Sequence, residues 1–139
     1  MSAVVVEPEP MVDRQVFAAW SVRIPACFHE AFVSEGSYWH ASDLRRSVSL
    51  TSVVVNDRHG RPIDAPRILR RFPTMKGERV ALAPGQSGWA VVVSVAKPRR
   101  AARAISGILV ADGAVIIATV TSDDLSWAHA IWASIRRDE

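Results

Sequence analysis

The stretch RAISGILVADGAVIIATVT, residues 103–121, decides the fold of this chain. It contains two apolar runs on either side of Asp112-Gly113, a dipeptide typical of the two-residue type I′ turn that closes a β-hairpin. Because the turn fixes the register, the predicted pairs are Val110 with Val115, Leu109 with Ile116, Ile108 with Ile117 and Ile105 with Val120. Both faces of the hairpin near the turn are apolar, so neither can lie open to water, and we predict that the hairpin is central in its sheet.

Length and composition are those of one globular domain. The chain has 139 residues, of which 49% are hydrophobic and 22% charged, so it is long enough to bury a sizeable core. Its longest apolar runs stop well short of the roughly 20 residues that a membrane-crossing helix needs. Residues 1–10 lack a basic segment followed by a long apolar core, so no secretory signal is predicted. Together with the single cysteine, Cys27, these features predict a cytoplasmic location.

Alternating apolar and polar residues predict further strands before the hairpin. They are expected at residues 17–24, 47–55, 78–83 and 89–96, with residues 38–41 as the end of another strand. Residues 26–34 fit either a turn of helix or an irregular crossing. Residues 1–14 contain two Glu-Pro steps, and we predict a flexible arm there, in front of a single α+β domain over residues 15–139.

Two helices are predicted from their end signals. Asp64 as N-cap, with Pro66 in the first turn, marks a short middle helix that Pro73 ends. The run Thr121-Ser122-Asp123-Asp124 is a variant of the capping box and opens a C-terminal helix. The apolar face of this helix carries Leu125, Ala128, Ile131, Trp132 and Ile135, and its C-terminal end carries Arg136 and Arg137. The expected fold is therefore α+β, a mainly antiparallel sheet of about five to seven strands covered by both helices.

Basic residues are concentrated in the middle of the chain. Between Arg58 and Arg103 there are eleven basic and two acidic residues, whereas the remainder carries six basic and twelve acidic ones. Such a segment can attract nucleic acid, an acidic protein or membrane phosphate. It can equally be a solvated surface balanced by the acidic ends, because spacing along the chain does not show that the charges share a face.

No catalytic, metal-binding or cofactor-binding site is predicted. The histidines lack the spacing of metal ligands; they are His29, His40, His59 and His129. Ser87 lacks the second glycine of a nucleophile elbow and is expected in a turn. Cys27 is predicted to be buried and inert. An unrecognised enzyme site around Cys27, His29 and His40 is the least favoured alternative.

The candidate binding residues are aromatic and arginine side chains. Half of the ten aromatic residues are tryptophan, and we assign Trp20, Trp89 and Trp132 to the core. Tyr38-Trp39-His40 lies near turn residues and is predicted to be exposed for contact. The complete set of candidate partner-binding residues is Tyr38, Trp39, His40, Arg67, Arg70, Arg71, Arg99 and Arg100.

The order of these elements resembles the Mog1/PsbP-type α/β/α sandwich. The resemblance covers residues 15–137 and begins at the Trp-x-Val-x-Ile-Pro run of residues 20–25. Members of that fold class include a Ran-binding protein, photosystem extrinsic subunits, actinobacterial lipoproteins and chaperones for secreted effectors. The resemblance implies binding more often than catalysis. This chain differs from the lipoproteins because it lacks their signal and lipobox cysteine.

We therefore expect a non-enzymatic, protein-binding accessory, adaptor or chaperone-like protein with no cofactor and no metal. The alternative is a nucleic-acid-associated protein that uses the basic segment 58–103. The sequence leaves open the identity of the partner and whether the chain forms homo-oligomers.

Overall fold

Ten strands in two antiparallel sheets, with two helices, make up the α+β fold of the described residues. The computed structural model describes residues 8–17, 19–33, 37–97 and 100–138. The strands are β1 (Met11–Phe17), β2 (Trp20–Pro25), β3 (His29–Val33), β4 (Tyr38–Ser42), β5 (Ser47–Val54), β6 (Glu78–Arg79), β7 (Gly88–Lys97), β8 (Arg100–Ala111), β9 (Ala114–Ser122) and β10 (Arg136–Arg137). The helices are α1 (Ala65–Arg70) and α2 (Leu125–Ser134). Neither helix is long and apolar enough to cross a membrane.

The predicted hairpin is formed by β8 and β9. All four predicted residue pairs are present, from Val110 with Val115 at the turn to Ile105 with Val120. Gly113 has a φ of 77°, the positive value that the turn requires. The order of the larger sheet is β3-β4-β5-β9-β8-β7-β6, so the hairpin lies in its middle. The predictions of register and central position are confirmed.

The seven-stranded sheet has two faces, because successive side chains of a strand point to opposite sides. The inner face carries Trp39, Leu50 and Ile116, which are fully buried. It packs against α2 and the three-stranded sheet in one continuous core. The outer face carries Val110 and Val115, which α1 and its flanking loops cover near the hairpin turn. Beyond α1 the outer face is open, and the candidate site lies there.

The three-stranded sheet has the order β1-β2-β10 and closes the core from the other side of α2. Val22 and Ile24 of β2 are buried in this core. After α2 the chain turns back along β2 and places Arg136 opposite Ser21. Arg136 and Arg137 were expected at the C-terminal end of the helix and instead form β10, because α2 ends at Ser134.

The N-terminal segment is ordered earlier than predicted. β1 begins at Met11 and pairs antiparallel with β2, so residues 11–14 do not belong to a flexible arm. The sequence of β1 alternates only weakly between apolar and polar residues, so it does not indicate a strand. Hydrogen bonding to β2 holds these residues in a strand. Residues 1–7 of the predicted arm lie outside the described residues.

The number of strands also exceeds the predicted five to seven, because β1, β3 and β10 were not predicted from the sequence. The strand predicted at residues 78–83 is reduced to β6. After it the chain approaches α2, where the Ala81 carbonyl oxygen lies 3.2 Å from His129 Nε2.

The N-cap of α2 is Asp124 and not Thr121. The Asp124 side chain accepts hydrogen bonds from the backbone N–H groups of Ser126 and Trp127, whereas Thr121 still belongs to β9. The hairpin strand therefore runs further than predicted. Helix α2 begins only after the hydrogen-bond ladder of strand β9 ends.

The cap of α1 comes from the hairpin turn. Asp64 occupies the N-cap position, but its side chain makes no cap hydrogen bond and lies 3.8 Å from the Arg67 Nε. Asp112 instead accepts a hydrogen bond of 2.9 Å from the backbone N–H of Ala65. This long-range cap holds α1 against the outer face.

Candidate functional site

A row of four polar side chains crosses the open part of the outer face. The register places His40 of β4 beside Ser49 of β5, and Thr119 of β9 beside Ser106 of β8. Ser49 and Thr119 also face each other, which joins the two pairs. His40 Nδ1 lies 2.8 Å from Ser49 Oγ, and Ser106 Oγ lies 3.2 Å from Thr119 Oγ1. The outer face therefore presents hydrogen-bonding groups where the inner face presents aliphatic ones.

Tyr38 and His40 lie together on this face and are half-buried, whereas Trp39 lies on the other face. The Tyr38 and His40 rings are stacked, with centroids 6.4 Å apart and an angle of 8° between planes. Tyr38 also donates a hydrogen bond of 3.3 Å to Ser49 Oγ. Trp39 points to the inner face and is fully buried. The prediction of an exposed Trp39 is wrong because neighbouring residues of a strand point to opposite faces.

An apolar groove of about 250 Å³ lies beside the polar row. Its walls are the segment that follows α1 and the strands β7 to β9. Met75 and Ile117 line it and are 51% and 41% exposed. Trp89 forms its floor, and its indole N–H donates a hydrogen bond of 2.9 Å to the carbonyl oxygen of Phe72. This bond fixes the segment after α1 over the sheet.

The border of the groove is basic. Arg71 lines the groove. Residues 70–79, which supply one wall, carry four basic residues and one acidic residue, Glu78. By strand alternation Arg79 lies on the outer-face side of β6 and Glu78 on the inner-face side. The groove therefore combines an apolar floor with a positively charged rim.

The predicted arginines fall into two separate groups. Those near the groove are exposed and lie on or just after α1; they are Arg67, Arg70 and Arg71. α1 packs beside Ile108 of β8, and the backbone of Arg100 lies eight residues away along the same strand, at a distance of about 27 Å. Arg99 lies outside the described residues. The described backbone therefore places Arg100 far from the arginines of α1.

No hydrogen bond among the described residues joins Cys27, His29 and His40, the residues considered for catalysis. Cys27 is exposed, contrary to the prediction that it is buried, because it lies in the turn where the chain leaves β2. His29 pairs with Ser42, whereas His40 pairs with Ala31, so the two histidines are offset along the strands. Within the described part of the chain, no three His, Cys, Asp or Glu side chains are grouped to hold a metal ion.

The pair of His40 and Ser49 has the hydrogen-bond length of a base and a hydroxyl nucleophile. Nucleophilic catalysis also needs an orienting third group and donors for the developing oxyanion. Because β5 lies between β4 and β9, the backbone N–H groups around Ser49 point into the two ladders. The backbone N–H groups around Ser49 are therefore engaged in the sheet and are not free to stabilise an oxyanion at this residue.

The densest charge cluster lies away from the groove, around Arg46. Its guanidinium donates to both Glu9 carboxylate oxygens at 2.6 and 2.8 Å and to Asp43 Oδ2 at 2.7 Å, and it lies 4.7 Å from the ring centroid of Trp127. The hydrogen bonds from Arg46 lower the pKa of Glu9. Burial raises the pKa of Asp43, but hydrogen bonds from Arg46 and from backbone N–H groups outweigh it, so this pKa is lowered too. The cluster ties the N-terminal segment to α2 and has a structural role.

Sequence reasoning missed the groove residues Met75 and Ile117. The hairpin register placed Ile117 on the outer face, but its exposure depends on what covers that face. Trp89 was assigned to the core and is half-buried as the groove floor, whereas Trp20 and Trp132 are buried as predicted.

No family model and no curated protein matches this sequence. A solved structure of a protein from Bacteroides thetaiotaomicron VPI-5482 superposes on 88% of this chain with a TM-score of 0.63 and 9% sequence identity. The match covers 46% of that protein, so this chain spans about half of its length. At this identity the likeness shows a shared fold alone.

Proposed function

We propose that this protein is a non-enzymatic accessory, adaptor or chaperone-like protein that binds an acidic segment of a partner protein in the outer-face groove. The observation that carries the proposal is the pair of exposed apolar side chains, Met75 and Ile117, inside a basic rim. Exposed apolar surface framed by polar residues is typical of sites of protein contact.

The size of the groove favours one anchoring side chain. Its volume of about 250 Å³ is below the usual range for a small-molecule site, which begins near 300 Å³. A single Leu, Phe or Trp side chain of a peptide fits this space. The floor residue Trp89 belongs to the central sheet and is already held in place. Little conformational entropy of the groove is therefore lost when a peptide binds.

The rim determines the charge of the partner. Arg71 and Arg79 can form paired hydrogen bonds with carboxylates, which favours Asp or Glu on either side of the anchoring residue. The row that begins at His40 supplies further hydrogen-bonding groups. The partner segment is therefore acidic, with one large apolar side chain.

The proposal includes a cytoplasmic location and membership of the Mog1/PsbP-like sandwich class. The order of the elements supports the class, as does the position of α1 and α2 on opposite faces of an antiparallel sheet.

The test measures peptide binding by fluorescence anisotropy. Labelled peptides carry Leu, Phe or Trp between acidic residues, and a matched set carries lysine in place of the acids. We expect the protein to bind the acidic set alone. Ile117→Glu, which places a carboxylate in the groove, is expected to weaken binding at least tenfold. Leu44→Glu is the matched control, because Leu44 is a fully exposed apolar residue outside the groove.

Two outcomes would contradict the proposal. One is equal binding by Ile117→Glu and Leu44→Glu, and the other is failure of the acidic peptides to bind at all. A labelled DNA or RNA oligonucleotide forms a separate arm of the experiment. Oligonucleotide binding that falls steeply with salt, without peptide binding, would establish the nucleic-acid alternative instead.

A further inference from the structure

A second and larger cavity, of about 700 Å³, lies where α2 ends. It is bounded by the loop before β7, the hairpin end of β8 and strand β10, and it shares no lining residue with the groove. Its volume falls within the range of about 300–1,000 Å³ that small-molecule sites occupy. The partner binding proposed for the outer-face groove does not involve this cavity.

Gln86 holds two walls of the cavity together. Its side-chain Nε2 donates hydrogen bonds of 2.8 Å to the carbonyl oxygens of Trp132 and Ile135 at the end of α2. Its Oε1 accepts a hydrogen bond of 3.0 Å from the backbone N–H of Ala83. These bonds join the loop before β7 to the helix end, so the cavity is formed without a ligand.

The cavity has an apolar side and a basic side. Pro84, Ala111 and Ala133 contribute accessible apolar surface to its lining. Arg136 and Arg137 line it from β10 and are exposed.

Among the described residues that line the cavity, Asp138 carries the one carboxylate, and this carboxylate is already engaged. It accepts a hydrogen bond of 2.8 Å from Ser21 Oγ and lies 3.8 Å from the Arg136 Nε. In the described part of the chain, Arg137 has no carboxylate partner. Arg137 is therefore the charge in this cavity that a ligand can match.

We infer that the cavity binds a small organic anion in which a carboxylate is attached to an apolar body. The carboxylate lies on the Arg137 guanidinium, whose planar fork suits two parallel hydrogen bonds. The apolar body lies against the side lined by Pro84 and Ala111.

The experiment compares three eight-carbon probes that differ only in their head group: octanoate, octan-1-ol and octylammonium. Binding is followed by the backbone amide shifts of residues that line the cavity, such as Gly85 and Ala111. We expect octanoate to shift these amides, octan-1-ol to bind at least tenfold more weakly, and octylammonium not to bind.

Two variants and one control variant of the full chain assign the binding to the cavity. Arg137→Gln is expected to weaken octanoate about tenfold, whereas the control Arg45→Gln, in the exposed loop between β4 and β5, is expected to leave it unchanged. Ala133→Phe, which fills the cavity from α2, is expected to weaken both octanoate and octan-1-ol. The dispersion of each spectrum shows whether the variant is folded.

The inference is overturned if octanoate causes no shifts in the cavity at millimolar concentration. It is also overturned if octylammonium binds as tightly as octanoate, or if folded Arg137→Gln binds octanoate like the unaltered protein.

Discussion

The two faces of the seven-stranded sheet differ in what covers them more than in what their strands are made of. Along β9, Ile116, Ala118 and Val120 are fully buried on the inner face. Ile117, between two of them in sequence, is substantially exposed on the outer face. The same kind of side chain therefore stabilises the fold on one face and remains available for contact on the other.

The cover of each face comes from a different part of the chain. α2 and the three-stranded sheet complete the inner face, and a buried apolar side chain there contributes about 1.5–3 kcal/mol. The short α1 covers only the hairpin end of the outer face. Substitutions should therefore affect stability on the inner face and contact on the outer face.

The strongest test of this difference is truncation of a large side chain on each side. Trp132 of α2 is fully buried against the inner face, and Trp132→Ala is expected to reduce the free energy of unfolding by about 3–5 kcal/mol. Ile117→Ala on the outer face is expected to cost less than about 1 kcal/mol. Urea unfolding followed by far-ultraviolet circular dichroism measures both values. Equal losses of unfolding free energy in Trp132→Ala and Ile117→Ala would show that the outer face is covered at Ile117.

Adjacent positions of β8 give a second test. A Cβ added at Gly107 would overlap the carbonyl oxygen of Trp89 on β7. Gly107→Ala is therefore expected to cost about 1–3 kcal/mol, because the two strands must move apart. Ser106→Ala, one residue away on the outer face, is expected to cost less than about 1 kcal/mol, because it removes only the hydrogen bond to Thr119. Urea unfolding measures the free energy of unfolding of both variants. An unchanged value for Gly107→Ala would contradict the close approach of β7 and β8.

The hairpin register could be predicted from sequence because it depends on local signals. Asp112-Gly113 fixes the turn, and strand alternation then assigns Ile116 and Ile117 to opposite faces. What covers each face could not be predicted, because α1 and α2 are brought there by contacts between residues far apart in sequence. The exposure of Ile117 depends on these long-range contacts. Neither that exposure nor the groove could therefore be predicted from the sequence.

Two errors at single residues have a different cause, because the sequence itself carries the signal that corrects them. Strand alternation, applied to residues 38–41, would have separated Trp39 from Tyr38 and His40, but proximity to turn residues was given more weight. Cys27 was assigned to the core from its residue type alone. Its exposure follows from where β2 ends, which sequence places correctly at Pro25.

The Arg46 cluster tests whether a charged side chain can help to close the inner core. Arg46→Met is expected to cost about 1–2 kcal/mol at pH 7, through lost charged hydrogen bonds and lost cation–π contact with Trp127. Both partner carboxylates, Glu9 and Asp43, have a lowered pKa in the folded protein. Their contribution is therefore present above about pH 4.5 and is lost as the pH falls below about 3.8.

The measurement for Arg46 is urea unfolding of both proteins between pH 7 and pH 3. The difference in unfolding free energy between the unaltered protein and Arg46→Met should shrink over the acidic part of this range. A constant difference down to pH 3 would show that the packing of the Arg46 side chain on Trp127, and not its ion pairs, stabilises this region.

The smallest effect concerns the cap that holds α1 on the outer face. Asp112→Gly keeps a residue suited to the hairpin turn but removes the acceptor for the Ala65 N–H, and is expected to cost about 1 kcal/mol. Asp64→Ala is the matched control, expected to be nearly neutral because Asp64 makes no cap hydrogen bond. Urea unfolding gives the stability change, and hydrogen exchange of the α1 amides shows whether the cover loosens. If Asp64→Ala lowers stability more than Asp112→Gly, the local cap predicted from sequence holds α1. That result would contradict the conclusion that the hairpin turn holds α1 on the outer face.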